Sequence, residues 1–357
     1  MASAHTRHSA TIASTATAVP PNILTLEDVK FYMRKVFDVG ERRLDAMMTV
    51  IDHAQVRKRH SVFPVEYFVT PRSLEQISLE YEEHAVRLGR QAADRCLQSA
   101  AMTPADIDLI ITVSCTGFMI PSLDAHLINL MGFRSNVRRL PMTELGCVAG
   151  AMALARAREF LQAYPGKNVL IVAVELATLT FQRGDSSQAN LVSCALFGDG
   201  AAAAVVTGRP VAGPQILDAD TYTFPQSLDA MGFDLRDSGL HIVLSKDVPQ
   251  MIRDKVRALA DNFLRRSDLT LGSIGAFLLH PGGQKLLSYV EEQLGLSRGD
   301  TQLSWDVLSE YGNLSSATIL FILHECLTRN GVRSGEYGLA AAFGPGFSAE
   351  MLLLQWS

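Results

Sequence analysis

The sequence predicts an α/β protein made of two similar halves, and three observations carry that prediction. Residues 106–114 and 167–175 are near-continuous apolar runs, as expected of central strands covered on both faces. Around them, apolar residues recur at helical spacing, most clearly as Leu74, Ile77, Tyr81, Ala85, Leu88 and Ala92. After the breaker-rich stretch 210–214, the same coarse order of strand and helix begins again, although no residue-level repeat is visible. Alternation of this kind builds a sheet with helices packed on its faces. The break divides the 357 residues into an N-terminal half, 1–209, and a C-terminal half, 210–357.

Taken in order, residues 1–21 are rich in Ala, Ser and Thr and contain no acid, a composition that resembles a transit peptide but lacks the apolar core of a secretory signal. Residues 10–19, closed by Pro20 and Pro21, read as a first strand after a short tail. Residues 25–50 have helical spacing and lead to the basic cluster Arg57-Lys58-Arg59-His60. That cluster fits a solvated helix end and a landing site for a phosphate-bearing ligand equally well. A long helix is expected over 73–102, a loop over 117–121, a helix over 124–131 and a short strand over 137–141. In the second half, strands are expected over 240–244, 274–279, 337–342 and 349–355, and helices over 248–265, 284–294 and 315–330.

The string Gly198-Asp-Gly200-Ala-Ala-Ala203 imitates a dinucleotide fingerprint. It follows a helix-like segment and leads into a strand, the reverse of the context that fingerprint needs. A net charge of −5, with 48% hydrophobic and 19% charged residues, argues against disorder and gives no general attraction for nucleic acid. Five scattered cysteines with no Cys-x-x-Cys fit a reducing, cytoplasmic setting and predict neither a disulfide framework nor a metal site. No apolar run is long enough for membrane insertion.

Candidate chemistry gathers at three places. Cys147 follows Gly146 at the start of a small-residue helix, where free backbone amides and the helix dipole favour a thiolate; a buried core cysteine is the simpler alternative. His280 ends the strand 274–279 and is followed by Pro281-Gly282-Gly283, placing it where α/β proteins bind ligands. Asn313 precedes a helix, where taken alone it reads as a helix cap. Together a thiol, an imidazole and an amide can accept an acyl group and stabilise a developing oxyanion, but hydrolases use the same triplet.

The surrounding stretches strongly resemble the type III polyketide synthases, the chalcone-synthase-like family of the thiolase fold. The matching segments are Gly146-Cys147-Val148-Ala149-Gly150, 195–202, 245–249, 280–283, 310–316 and 343–346, in the family's order and spanning the chain beyond its tail. The resemblance implies duplicated halves layered as αβαβα, and a homodimer in which Ile120 reaches the partner's cavity. It implies that Cys147 carries the acyl chain, that His280 and Asn313 hold malonyl-CoA and stabilise its enolate, and that Phe197 is the aromatic gatekeeper. Cavity walls follow at Cys115, Thr116, Ala177, Thr180, Ser193, Phe233, Ile242, Ser315, Gly344 and Pro345. Acyl-CoA and malonyl-CoA are the implied substrates, with no separate cofactor.

Departures from the plant pattern remake the pocket. Ile242 stands where a second gatekeeper phenylalanine is found, Ala177 replaces a threonine, and Ser193 and Phe233 replace glycines. Small apolar residues at Cys115 and Ala177 favour an aliphatic starter and an α-pyrone or resorcinol product over a planar aromatic starter, while Phe233 takes up volume. The family's CoA-binding cations fall at Ala46, Thr49 and His53, so Arg57, Lys58 or Arg59, with the Gly282-Gly283 backbone, are the expected substitutes. A single-condensation β-ketoacyl synthase, a Cys-His-Asn thioesterase and a non-catalytic acyl-CoA binder remain alternatives at this point.

Overall fold

The computed structural model describes residues 9–37, 39–329 and 331–357. The expected tail over 1–8 and the expected helix end at Asn330 lie outside the described residues, as does Asp38 within 25–50. The first half runs β1 (Thr11–Ala18), β2 (Asn22–Thr25), α1 (Leu26–Val36), α2 (Glu41–Asp52), β3 (Lys58–Ser61), α3 (Leu74–Ser99), β4 (Leu109–Val113), α4 (Leu123–Met131), β5 (Arg138–Met142), α5 (Ala149–Ala163), β6 (Asn168–Leu176), α6 (Gln188–Leu196) and β7 (Asp199–Thr207). The second runs β8 (Pro214–Thr223), β9 (Met231–Arg236), β10 (Gly239–Leu244), α7 (Val248–Arg265), β11 (Ile274–Leu279), α8 (Gln284–Leu294), α9 (Gln302–Tyr311), α10 (Thr318–Arg329), β12 (Tyr337–Gly344) and β13 (Ser348–Trp356).

Strand pairing makes the duplication explicit. In the first half β1 pairs antiparallel with β7, β7 antiparallel with β6, and β6 parallel with β4. In the second half β8 pairs antiparallel with β13, β13 antiparallel with β12, and β12 parallel with β11. The halves join where Thr11 of β1 faces Gln215 of β8, giving one nine-stranded sheet, β11-β12-β13-β8-β1-β7-β6-β4-β5.

Side-chain alternation then sets five layers. Along β6, Val169, Ile171 and Ala173 face a central core shared with α5 and α10, while Leu170, Val172 and Val174 face an outer core under α3 and α4. On the other side, Ala340 and Ala342 of β12 meet the central helices. Leu339, Ala341 and Phe343 meet the outer core containing α7 and α8. The order is helices, strands, helices, strands, helices, as the resemblance implies. No helix among the described residues is long and apolar enough to cross a membrane.

Local chemistry explains the boundaries. Ser73 caps α3 reciprocally with Gln76, and the stripe from Tyr81 to Ala92 is buried. The span 25–50 splits at 37–40 into α1 and α2, each with its own amphipathic face. The basic cluster is not a helix end. Lys58 to Ser61 form β3, paired with β2, so alternate side chains point inward. Strand β8 lay hidden at the proposed break because Gly213 and Pro214 open it and Asp218 and Asp220 interrupt its apolar pattern.

Candidate active site

Cys147 sits in a tight turn, Gly146–Val148, between β5 and α5. Two glycines let other segments close on this turn. A Cβ on Gly150 would lie 2.1 Å from the Ser316 carbonyl, and one on Gly344 would lie 2.6 Å from the Leu145 carbonyl and 2.7 Å from the Val148 nitrogen. The loop before α10 and the end of β12 therefore pack directly against the backbone of the Cys147 turn. Ser315 adopts φ +47°, a left-handed conformation uncommon for a non-glycine residue, and holds its hydroxyl 3.5 Å from Cys147 Sγ.

Cys147, His280 and Asn313 line one cavity of about 400 Å³. His280 follows β11 directly, with its backbone N–H donating to the Ala341 carbonyl at 2.8 Å. Its ring is 2% exposed and both ring nitrogens lack partners among the described residues. The Asn313 Oδ1 accepts from the Ser315 N–H at 2.8 Å, which fixes the amide orientation, while its Nδ2 donates only a long 3.4 Å bond to the Gly282 carbonyl. Asn313 thus braces its own turn rather than capping a helix, since the N-cap position of the following turn is Leu314, and it lines the cavity with its amide.

Burial dominates the electrostatics. It pushes the Cys147 thiol up to about 11; the Ser315 hydroxyl opposes this, the Glu175 charge adds to it, and the Asn313 amide and the backbone N–H oppose it. Burial also lowers His280 to about 4. Desolvation thus works against the free amides and helix dipole that favour a thiolate at Cys147, and no hydrogen bond joins the imidazole to the sulfur among the described residues.

A buried carboxylate behind the nucleophile is absent from the sequence reading. Glu175, near the end of β6, accepts hydrogen bonds from Ser316 Oγ, from Thr116 Oγ1 at 2.7 Å and from the Cys115 N–H at 3.1 Å. The Cys115 thiol also approaches Ser315 Oγ at 3.3 Å, linking this cluster to Cys147. A charged residue closing an otherwise apolar central strand was the available signal.

The chain matches the N-terminal domain of chalcone and stilbene synthases over residues 1–210 and their C-terminal domain over residues 215–356. The chain belongs to the chalcone and stilbene synthase family. It is similar to 1,3,6,8-tetrahydroxynaphthalene synthase of Streptomyces coelicolor, with 36% identity over 97% of this chain and 92% of that protein. It is also similar to phloroglucinol synthase of Pseudomonas fluorescens, with 34% identity over 88% of this chain and 90% of that one. The crystal structure of the Streptomyces coelicolor enzyme, described as a bacterial type III polyketide synthase, superimposes with a TM-score of 0.94 and covers 97% of this chain and 99% of that one. The protein is a type III polyketide synthase with the thiolase-like fold, an acyltransferase whose substrates are CoA thioesters.

In this synthase, Phe197 is the wall shared by three spaces. It faces the outer cavity, an inner cavity of about 40 Å³ and a side chamber of about 80 Å³. Its backbone is tied to the catalytic loop, since the Gly198 N–H donates to the Asn313 carbonyl and the Asn313 N–H to the Leu196 carbonyl. Cys115, Thr116, Ala177, Thr180, Phe233, Ile242, Ser315 and Pro345 all line the inner cavity with Cys147. Ser193 instead lines the side chamber, which Ala177 shares. Gly344 packs behind the nucleophile turn and borders none of the three spaces.

Gly282 and Gly283 line the outer cavity, but the cations there are Lys246 and Lys285, with His53 beside them. Arg57 and Lys58 pair with Glu310 outside that lining. Arg59 is corrected outright: inward-facing on β3 and 2% exposed, it cannot reach a CoA phosphate at the surface. Lys246, just before α7, and Lys285, in the first turn of α8, stand alone in the sequence with no basic cluster to mark them. Ile120 is fully exposed at 100%.

Proposed function

We propose that this synthase loads an aliphatic acyl-CoA starter on Cys147, extends it with malonyl-CoA or an alkylmalonyl-CoA, and releases an α-pyrone or a resorcinol. The side chamber carries this reading. The inner cavity, lined by Met231 and Phe233, is small, whereas on the other side of Ala177 and Phe197 lies a chamber lined by the apolar side chains Leu24, Val29, Met33 and Phe68. Such walls suit an alkyl chain, whose transfer from water is favourable in proportion to the apolar area buried.

In the proposed cycle the Cys147 sulfur attacks the starter carbonyl, His280 takes the thiol proton, and CoA leaves as the thiol once that proton is returned. Malonyl-CoA then enters past Lys246 and Lys285 and sets its thioester oxygen against the N–H groups of His280 and Asn313. Loss of CO2 breaks the carbon–carbon bond and leaves an enolate on that oxygen. The enolate carbon attacks the acyl-Cys147 carbonyl, a new carbon–carbon bond forms, and Cys147 is released as the thiolate. A neutral amide at Asn313 suits an enolate, which a carboxylate would repel. The working unit is proposed as a cytoplasmic homodimer contacted through Ile120, with no metal or bound cofactor.

The test is mass spectrometry of products from a panel of acyl-CoA starters with malonyl- and methylmalonyl-CoA. Pyrones or resorcinols bearing the alkyl starter are the expected products. Products built from malonyl units alone would contradict the starter assignment, a single added unit would indicate a β-ketoacyl synthase, and free acid without malonyl dependence would indicate a thioesterase.

A further inference from the structure

We propose that the chamber behind Phe197 receives an acyl group whose far end carries a carboxylate, and that Arg59 is the group that recognises it. The inference rests on the chamber's serving as the starter's binding site. The alternation of β3 sends Arg59 inward while Lys58 and His60 stay partly exposed. Arg59 is among the residues lining an otherwise largely apolar chamber. Nη1 donates to the Cys194 carbonyl and, at 3.5 Å, to the Phe197 carbonyl. Nε and Nη2 are buried and have no partner, and no carboxylate pairs with Arg59 among the described residues.

Those two nitrogens form one edge of the guanidinium, the edge that grips a carboxylate through two parallel hydrogen bonds. Other polar side chains around the chamber are already engaged. Tyr32 donates to Glu66 at 2.8 Å, and Thr178 to Asp199 at 2.6 Å. Ser193 adds a hydroxyl to the lining. Burial lowers the Arg59 pKa to about 10, so the side chain remains a cation at neutral pH. A buried cation left without a counterion is costly, and a bound carboxylate supplies one. Ala177 and Phe197 are the partition between this chamber and the cavity holding Cys147, so a chain attached to the sulfur reaches Arg59 once that partition opens.

The experiment compares matched pairs of starters, butanoyl- to octanoyl-CoA against the mono-CoA thioesters of butanedioic to octanedioic acid, with malonyl-CoA as extender. For the wild-type enzyme the expected result is a kcat/KM at least about tenfold higher for the carboxylated member of the best pair, as one charge-assisted bidentate contact supplies. Arg59→Met is expected to remove that preference, and Arg59→Lys to restore it only in part. If Arg59 merely positions Phe197 through the two carbonyls, the substitution lowers both members equally, and the inference fails. Equal use of both members by the wild-type enzyme, or preference for the plain chain, also overturns it while leaving the aliphatic-starter reading intact; elongation of neither overturns both. The wild-type comparison decides the matter even if the Arg59 variants do not fold.

Discussion

In the N-terminal half, β4 runs out towards Cys115 and α5 begins behind Cys147; in the C-terminal half, β11 runs out into His280 and α10 begins behind Asn313 and Ser315. The pairing of β4 with β6 and of β11 with β12 is parallel in both, so these four positions are equivalent in pairs across the duplicated scaffold. Their chemistry is not equivalent. One half contributes two thiols and the buried Glu175, and the other an imidazole, an amide and a hydroxyl. Duplication has fixed where loops converge, while in the proposed cycle the residue types placed there divide the work into holding the chain and stabilising the enolate.

The first way to break this comparison is at the sulfur. Cys147→Ala is expected to abolish acyl-enzyme and product formation, a loss of at least about 10³-fold, measured by product chromatography. Residual product would move the nucleophile to Cys115. Next in size, Asn313→Ala is expected to slow CO2 release from malonyl-CoA by about 10²-fold or more, as for one lost oxyanion donor, while acyl loading of Cys147 persists. Equal loss of both steps would show that the halves do not divide the work.

Reactivity sharpens the comparison further. With the thiol raised to about 11, iodoacetamide alkylation of Cys147 in the empty enzyme should climb with pH, with no plateau below about pH 9. The sign follows from burial, which favours the neutral thiol. A plateau near neutrality would mean a resting thiolate. Ser315→Ala removes the hydroxyl that opposes the upward shift of the Cys147 thiol and should slow alkylation several-fold across that range. The smallest effect expected is on stability: in Gly344→Ala the added methyl meets the Leu145 carbonyl and Val148 nitrogen, costing about 1–3 kcal/mol, read from denaturant midpoints.

Much of the scaffold was legible because periodicity and burial coincide. Strand β11 and helices α7 and α8 occupy the residues that apolar spacing marks, since each is buried on a well-defined face. What escaped was set by tertiary contact. Arg59 looks like surface charge until β3 pairs with β2, and β8 is disguised by its opening glycine, proline and acids. The loops carrying Cys147, His280 and Asn313 could be located from short motifs, but the burial that raises the Cys147 thiol and lowers His280 could not, because it depends on how completely the closed layers exclude water. Glu175 was in plain view at the end of an apolar strand, yet its role as acceptor for Ser316, Thr116 and Cys115 appears only when two loops meet the end of β6.

The most direct test follows the chain itself. The enzyme is quenched during turnover with an alkyl acyl-CoA and malonyl-CoA, digested, and the peptide holding Cys147 is weighed. The account predicts a starter adduct on that peptide that grows by successive C2H2O units when malonyl-CoA is present. An adduct that never grows, or growth on a peptide holding a different cysteine, would contradict it.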